Sequence, residues 1–393
     1  MRLAIDATPV VPGRKGLGIF LEGLVDESAK DPGSRSWIAY VDSTYADEAR
    51  RRWPSMDVRP VRSRPSVLWE MAILPRRARR DGARLVFTGR DRTLCEPCAA
   101  TVVYLFEVPD HRTKSVLGGG AALLKKLVAK YSLRRFRTVA ARVSHFIVSS
   151  RATGRDLEDT YGVESGRIHL AYPGIDTRFE PPAGEDDRQS ARDQFAQGHP
   201  YVLHLATGDP RDNTGVALRS FARAAAQVDG DVALLVAGVP PGSAKALGQR
   251  VREVGIEGRT FMVGSLAGEA LVRAYQGAEI YLDPTLYEGF GLQLAEAMAC
   301  GVPVVSSNVT SVPEVVGEAG ILLDPHDEQG FAGALERVLS DGELRTELAE
   351  KGRAQAELFN WSDSARRILE LLEQFSHDSG GGARVKDRIG NAR

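Results

Sequence analysis

"LYEGFGLQLAEAMACGVPVV", from Leu286 to Val305, carries two glutamates, Glu288 and Glu296, with seven residues between them. Two glycines, Gly289 and Gly291, follow the first glutamate. The residues just upstream, "EIYLD", and those at the end, "PVVSS", are short apolar runs that read as strands. Between them "LQLAEAMACG" has the length and spacing of a helix. Strand, glycine-bearing loop, helix and strand make one unit, and the same alternation runs through the chain. Further strands are predicted at "RLAID", "WIAYV", "DVRPV", "LVFTG", "TVVYLF", "HFIVSS" and "RIHLAY" in the first half. The second half adds "YVLHLA", "VALLVAG", "TFMVG" and "GILLD". Apolar strands alternating with helices imply parallel sheets covered on both faces. The fold class is therefore α/β, with two doubly wound Rossmann-like domains facing across a cleft.

At 393 residues the chain exceeds one ordinary core, which agrees with two domains. Apolar residues make up 43% and charged residues 26%, as in a globular protein, and a formal net charge of -1 gives no reason to expect nucleic acid as a partner. No apolar run approaches the roughly 20 residues needed to span a bilayer, and "MRLAIDATPVV" lacks the pattern of a signal peptide. The 3 cysteines, Cys95, Cys98 and Cys300, suit a reducing cytoplasm.

The first domain is expected over residues 1–172, a linker over 173–200 and the second domain over 201–359. Pro173, Pro181, Pro182, Gly184 and the acidic run Glu185 to Asp187 interrupt any regular pattern in the linker. The end, 377–393, is glycine-rich and polar and is predicted to be disordered.

In doubly wound sheets, ligands bind beyond the carboxyl ends of the strands, and three loops there carry candidate residues. The first, "VVPGRKGLGIF", places Gly16 and Gly18 before a helix, where free N–H groups attract anions; a tight turn would want the same glycines. The second, "ATGDPRDNTG", carries Arg211 ahead of a helix, with Asn213 or Thr214 as N-cap. An arginine there either clamps a diphosphate or is solvated. In the third, Glu288 lies near a helix N-terminus and is favoured by the dipole with or without a ligand. Glu296 sits inside an apolar run and needs a partner, such as the two hydroxyls of a ribose, or else an exposed helix face.

"YEGFGLQLAEAMACGVPVVSSNVTSVPEVVGEAGILLDP" resembles the signature of the retaining glycosyltransferase family 4, the mannosyl- and glucosyltransferase-like group 1, which has the GT-B fold. "IDATPV", "GLG", "FIVSSRATGRDL" and "YPGIDTRF" extend the likeness, and "FNWSDSARRILELLEQF" resembles the helical segment, about 360–376 here, that crosses back onto the first domain. The resemblance implies a nucleoside diphosphate sugar as substrate, no cofactor and no metal. It places Glu296 on the ribose, Glu288 on the transferred sugar, and the N–H groups of Gly289, Phe290, Gly291 and Leu292 against sugar and phosphates. Gly16 and Gly18 would close on the phosphate from the other side, and Arg211 would stabilise the leaving group.

Two positions depart from the family pattern. Where the family has "PRKN" this chain has "PRDN", which puts Asp212 in place of a lysine. Where the family has a His-Asp pair this chain has Phe106 and Glu107. Lys15, Glu107, His111 and Asp212 are further site candidates. "CEPC" has metal or redox spacing but no second pair, and "DGD" at 229–231 reads as a turn. The basic helix within 121–142 would flank a positive cleft, or touch anionic lipid or an acidic acceptor. The implied activity is hexosyl transfer to a small-molecule or lipid-linked hydroxyl acceptor, in the cytoplasm or at the membrane surface. Bacterial natural-product or cell-envelope glycan synthesis is the expected setting. A sugar-nucleotide-binding protein without turnover is the alternative that Phe106 and Asp212 suggest.

Overall fold

The computed structural model describes residues 2–11, 16–30, 36–63, 65–95, 99–110, 123–228 and 230–378. Lys15, Cys98, His111, Asp229 and the tail beyond residue 378 lie outside them. Seven strands form the first sheet: β1 (Arg2–Asp6), β2 (Ser36–Asp42), β3 (Asp57–Val61), β4 (Leu85–Thr88), β5 (Ala100–Leu105), β6 (His145–Val148) and β7 (Ile168–Leu170). Their order is β3-β2-β1-β4-β5-β6-β7, with every pairing parallel. Six more make the second sheet: β8 (Tyr201–Leu205), β9 (Ala233–Ala237), β10 (Thr260–Met262), β11 (Ala278–Asp283), β12 (Val304–Ser307) and β13 (Gly320–Leu323). Their order, β10-β9-β8-β11-β12-β13, is again all parallel.

Both orders reverse direction once, between β1 and β4 and between β8 and β11. Crossover helices leave in opposite directions at such a switch point, so a crevice opens beyond the strand ends. This is the two-domain GT-B architecture expected from the sequence. The central strands read as apolar runs because both faces are covered: β4 and β9 are buried along their whole length.

The expected linker is not irregular throughout. A helix, Glu185–Ala196, occupies its second half; it buries Ala191, Phe195 and Ala196, the last two in the second core. Glu185, Asp186 and Asp187, read from sequence as a breaker, form its first turn. Carboxylates are favoured there because the free N–H groups leave partial positive charge at a helix start.

The last helix, Trp361–Asp378, leaves the second domain and packs on the first. Ala365, Ile368, Leu371, Leu372 and Phe375 join the core built around β1 and β2. Trp361 lies so close to Gly23 and Gly174 that a Cβ on either would meet its ring at 2.5 Å. The Phe375 ring stacks on His145 at 3.8 Å.

Candidate active site

A cleft of about 350 Å³ lies at the β8/β11 switch point and is closed on the far side by the end of β5 from the first domain. It is lined by Arg211 and Asp212 after β8, by Glu288 to Leu292 after β11, and by Phe106 and Glu107 after β5. Residues up to 187 apart in sequence therefore meet in one place.

Gly291 ends the loop after β11 with φ +90, a left-handed conformation that glycine adopts without strain. The helix Leu292–Ala299 starts immediately after. Among the described residues, no protein acceptor is found for the N–H groups of Gly289, Phe290, Gly291 and Leu292. Unsatisfied donors at a helix start make an anion site. The Phe290 side chain is buried and packs on Phe359, with ring centroids 5.2 Å apart, so it anchors the loop in the second core.

Gly289 is where the loop touches the first domain. A Cβ there would sit 2.1 Å from the Phe106 carbonyl oxygen, so no other residue fits this approach. The Gly289 carbonyl accepts a hydrogen bond from the Ser150 hydroxyl at 2.6 Å, with Ser149 and Thr153 also in range. Tyr287 donates to Asp156 at 2.7 Å, and Tyr172 donates to Glu314 at 2.8 Å, across the same seam.

Arg211 is held from both domains. One Nη donates to Glu107 at 2.6 Å and the other to Asp209 at 3.0 Å. Burial works against its charge, but the two carboxylates outweigh this and raise its pKa. Its backbone carbonyl accepts from the Leu286 N–H at 2.9 Å, which ties this loop to the loop after β11.

Asp212, in place of the family's lysine, lines the cleft with its carboxylate engaged inside its own loop. Its carboxylate accepts from the Thr207 N–H at 2.6 Å and from the Thr207 hydroxyl at 2.9 Å, closing the loop after β8. Burial raises its pKa against those bonds. Asn213 occupies the N-cap position of the helix Thr214–Ala225 with φ +51, but its amide donates to the Pro284 and Pro325 carbonyls instead of capping. Thr214 bonds the buried His204 ring, which burial keeps neutral by lowering its pKa to about 4.

Glu288 accepts from the Gln293 amide at 2.6 Å, and its own N–H donates to Thr310. Burial first, and the neighbouring Asp283 second, hold its carboxyl well above the usual range. Glu296 lies two turns of chain further on and is not part of the cleft lining. It accepts one hydrogen bond, from the Tyr275 hydroxyl at 3.2 Å, and burial pushes it up to about 8.

Gly16 and Gly18 are not among the described residues lining this cleft. Gly16 is exposed, with φ +46, and Gly18 is buried in the helix Leu17–Lys30. Sequence reasoning also missed Asp209, Asp283 and Gln293. Asp209 follows a predicted strand, Asp283 ends one and Gln293 lies in the first turn of the helix after it, so position at the carboxyl end of a strand is the one signal that could have found the two aspartates. Among the described residues no group of three or more His, Cys, Asp or Glu could hold a metal ion, and no helix is long and apolar enough to cross a membrane.

Two family models match the chain: "Glycosyltransferase Family 4" over residues 42–179 and "Glycosyl transferases group 1" over residues 185–355. An O-antigen chain mannosyltransferase B from Escherichia coli is 36% identical over 173 residues, 44% of this chain and 45% of that protein. A D-inositol 3-phosphate glycosyltransferase from Acidothermus cellulolyticus is 31% identical over 244 residues, 59% of this chain and 53% of that protein. The chain thus spans about half the length of the curated relatives it matches. In fold it is similar to Anabaena HepE, solved with UDP and glucose, at TM-score 0.71 and 19% identity over 95% of this chain and 100% of that one. It is also similar to a sucrose-phosphate synthase from Thermosynechococcus elongatus, at TM-score 0.74 and 21% identity over 96% and 99%. With both halves matched and the two-sheet architecture shared, the chain belongs to glycosyltransferase family 4, group 1.

Proposed function

We propose that this protein moves a hexose-type sugar from a nucleoside diphosphate donor to a hydroxyl acceptor, with retention of anomeric configuration. The observation that carries this reading is the meeting of Arg211 with the unpaired N–H groups of Gly289 to Leu292 at the β8/β11 switch point. Bond stretching at the anomeric carbon builds negative charge on the departing phosphate. Fixed donors aimed at that charge stabilise the transition state more than the ground state. Glu288 orients the transferred sugar, and Glu296 receives the ribose hydroxyls in exchange for its bond to Tyr275. The acceptor hydroxyl attacks from the leaving-group face and passes its proton to the departing phosphate. The donor is substrate, and no resident cofactor or metal is invoked.

The acceptor side belongs to the first domain. A cavity of about 750 Å³ at its own switch point is lined by Thr8, Ser43, Ser63, Arg62 and Arg90, a set suited to a polyhydroxylated molecule. The helix Leu123–Arg142 exposes Leu127 and Tyr131 beside Lys130 and Arg134, which supports contact with an anionic membrane and a lipid-linked acceptor. A bacterial cytoplasmic setting in envelope glycan or natural-product synthesis fits both acceptor types.

Phe106 favours a second reading. Its ring packs on Phe20 and Tyr104, at 5.3 Å and 5.2 Å, where a histidine would reach the sugar. A binding protein without turnover is that reading. The experiment is a thermal-shift screen of UDP-, GDP- and ADP-sugars, followed by mass spectrometry for released nucleoside diphosphate. Release supports the transferase; binding without release, in the presence of a broad acceptor set, supports the binder.

A further inference from the structure

Asp283 closes β11 and lines the cleft. Only 4% of it is exposed, and its Oδ2 is buried without a hydrogen-bond partner among the described residues. The rest of the residue is fixed: its carbonyl accepts from the Ser306 hydroxyl at 2.7 Å, and the carbonyl of the next residue, Pro284, accepts from Asn213. The Gln293 amide bonds Glu288 and also reaches the Asp283 carboxyl, so the three side chains form one polar corner. Burial, with Asp212 adding to it, holds the Asp283 carboxyl above its usual range.

An unsatisfied buried carboxylate oxygen is costly, so a ligand that supplies a proton donor gains by meeting it. The surroundings narrow the chemistry. Among the described lining residues, Glu107, Asp209, Asp212 and Glu288 share the cleft with one arginine, Arg211, that already serves two of them. A diphosphate brings only acceptors. The part of a sugar nucleotide that brings O–H or N–H groups to Glu288 is the transferred sugar.

We propose that Asp283 is a specificity-determining residue for that sugar, its Oδ2 accepting a hydrogen bond from a hydroxyl or ammonium substituent of the ring. This rests on the sugar-nucleotide reading above. A sugar lacking the substituent leaves the corner unpaired and is rejected, because a site built to bond a polar group discriminates strongly against an analogue without it.

The test is calorimetric titration of the full chain. UDP and GDP alone come first, then the hexose donor of whichever nucleotide binds, its monodeoxy analogues at each ring position, and its amino analogues. In the wild type, one deoxy analogue should bind about 10- to 100-fold more weakly than its parent. Asp283→Ala should abolish that difference and keep the affinity for the bare nucleotide. Asp283→Asn separates the two substituents: it keeps most of the preference for a hydroxyl and loses the preference for an ammonium. It should also melt no lower than the wild type, whereas a merely structural aspartate would lower the melting temperature. Normal binding of the bare nucleotide, with unchanged ranking of the analogues in both variants, overturns the inference alone. Failure of the wild type to bind either nucleotide overturns the sugar-nucleotide reading and this inference with it.

Discussion

Glu296→Gln should make the protein more stable and its nucleotide site worse. The Glu296 carboxyl rests on a single hydrogen bond, from Tyr275 at 3.2 Å, and is pushed from 4.5 up to about 8, chiefly by burial and to a lesser degree by Asp176. Between those two values the unfolded chain releases a proton that the folded chain keeps. Stability therefore falls as pH rises across the window and levels off above it. Each pH unit is worth about 1.4 kcal/mol, which sets a ceiling of about 3 kcal/mol at pH 7. Water at the partly exposed carboxyl screens some of this, so a gain of about 1–2 kcal/mol is expected on removing the charge. For a domain of this size that raises the melting temperature by about 2–8 °C at pH 7 and leaves it unchanged near pH 4. Losing the hydrogen bonds of this carboxyl to ribose should weaken nucleoside diphosphate binding by about 10-fold. Paired melts at pH 4 and pH 7, with a calorimetric titration at pH 7, give both numbers. A melting shift equal at the two pH values, or unchanged nucleotide affinity, refutes the argument.

Gly289→Ala puts a methyl group 2.1 Å from the Phe106 carbonyl oxygen, so the loop must lift from the first domain. Displacement on the order of 1 Å at a site of this kind costs roughly 100-fold in turnover, and turnover within a few-fold of wild type would show that the close approach is dispensable. Asp212→Lys, which restores the family's lysine, removes the acceptor for the Thr207 N–H and hydroxyl. It should lower stability by about 1–3 kcal/mol, without tightening donor binding; an unchanged melting temperature with tighter binding would mean that the loop closes without this carboxylate.

The central strands were legible because both sheets are parallel and buried there, which leaves continuous apolar runs such as "ALLVA" of β9 and "LVFT" of β4. The edge strands β3, β7, β10 and β13 are only partly buried and were legible from their alternation with helical stretches. Glu288 and the glycines after it were legible as a loop between strand and helix. The helix Glu185–Ala196 was not, because it buries only three residues and hides them among prolines and charges. The bonds of Asp212 were not legible for a different reason. Sequence position places it beside Arg211, but its partner is Thr207, five residues back, and only the loop geometry decides which way the carboxylate turns. The pairing of Arg211 with Glu107 spans 104 residues and two domains, beyond any local pattern. Asp283 looked like the polar end of a strand. Its missing partner becomes visible only once every neighbouring donor is accounted for.

The central claim is that the cleft between the two domains binds a sugar nucleotide and stabilises the departing diphosphate through Arg211 and the loop N–H groups. The direct measurement is the rate of nucleoside diphosphate release from a bound donor, in wild type and in Arg211→Ala, with acceptor present and absent. Losing one such contact typically costs about 100- to 1,000-fold in rate. The account predicts a fall of that size in the variant, with a melting temperature that shows the fold intact. An equal rate in the two proteins would contradict it.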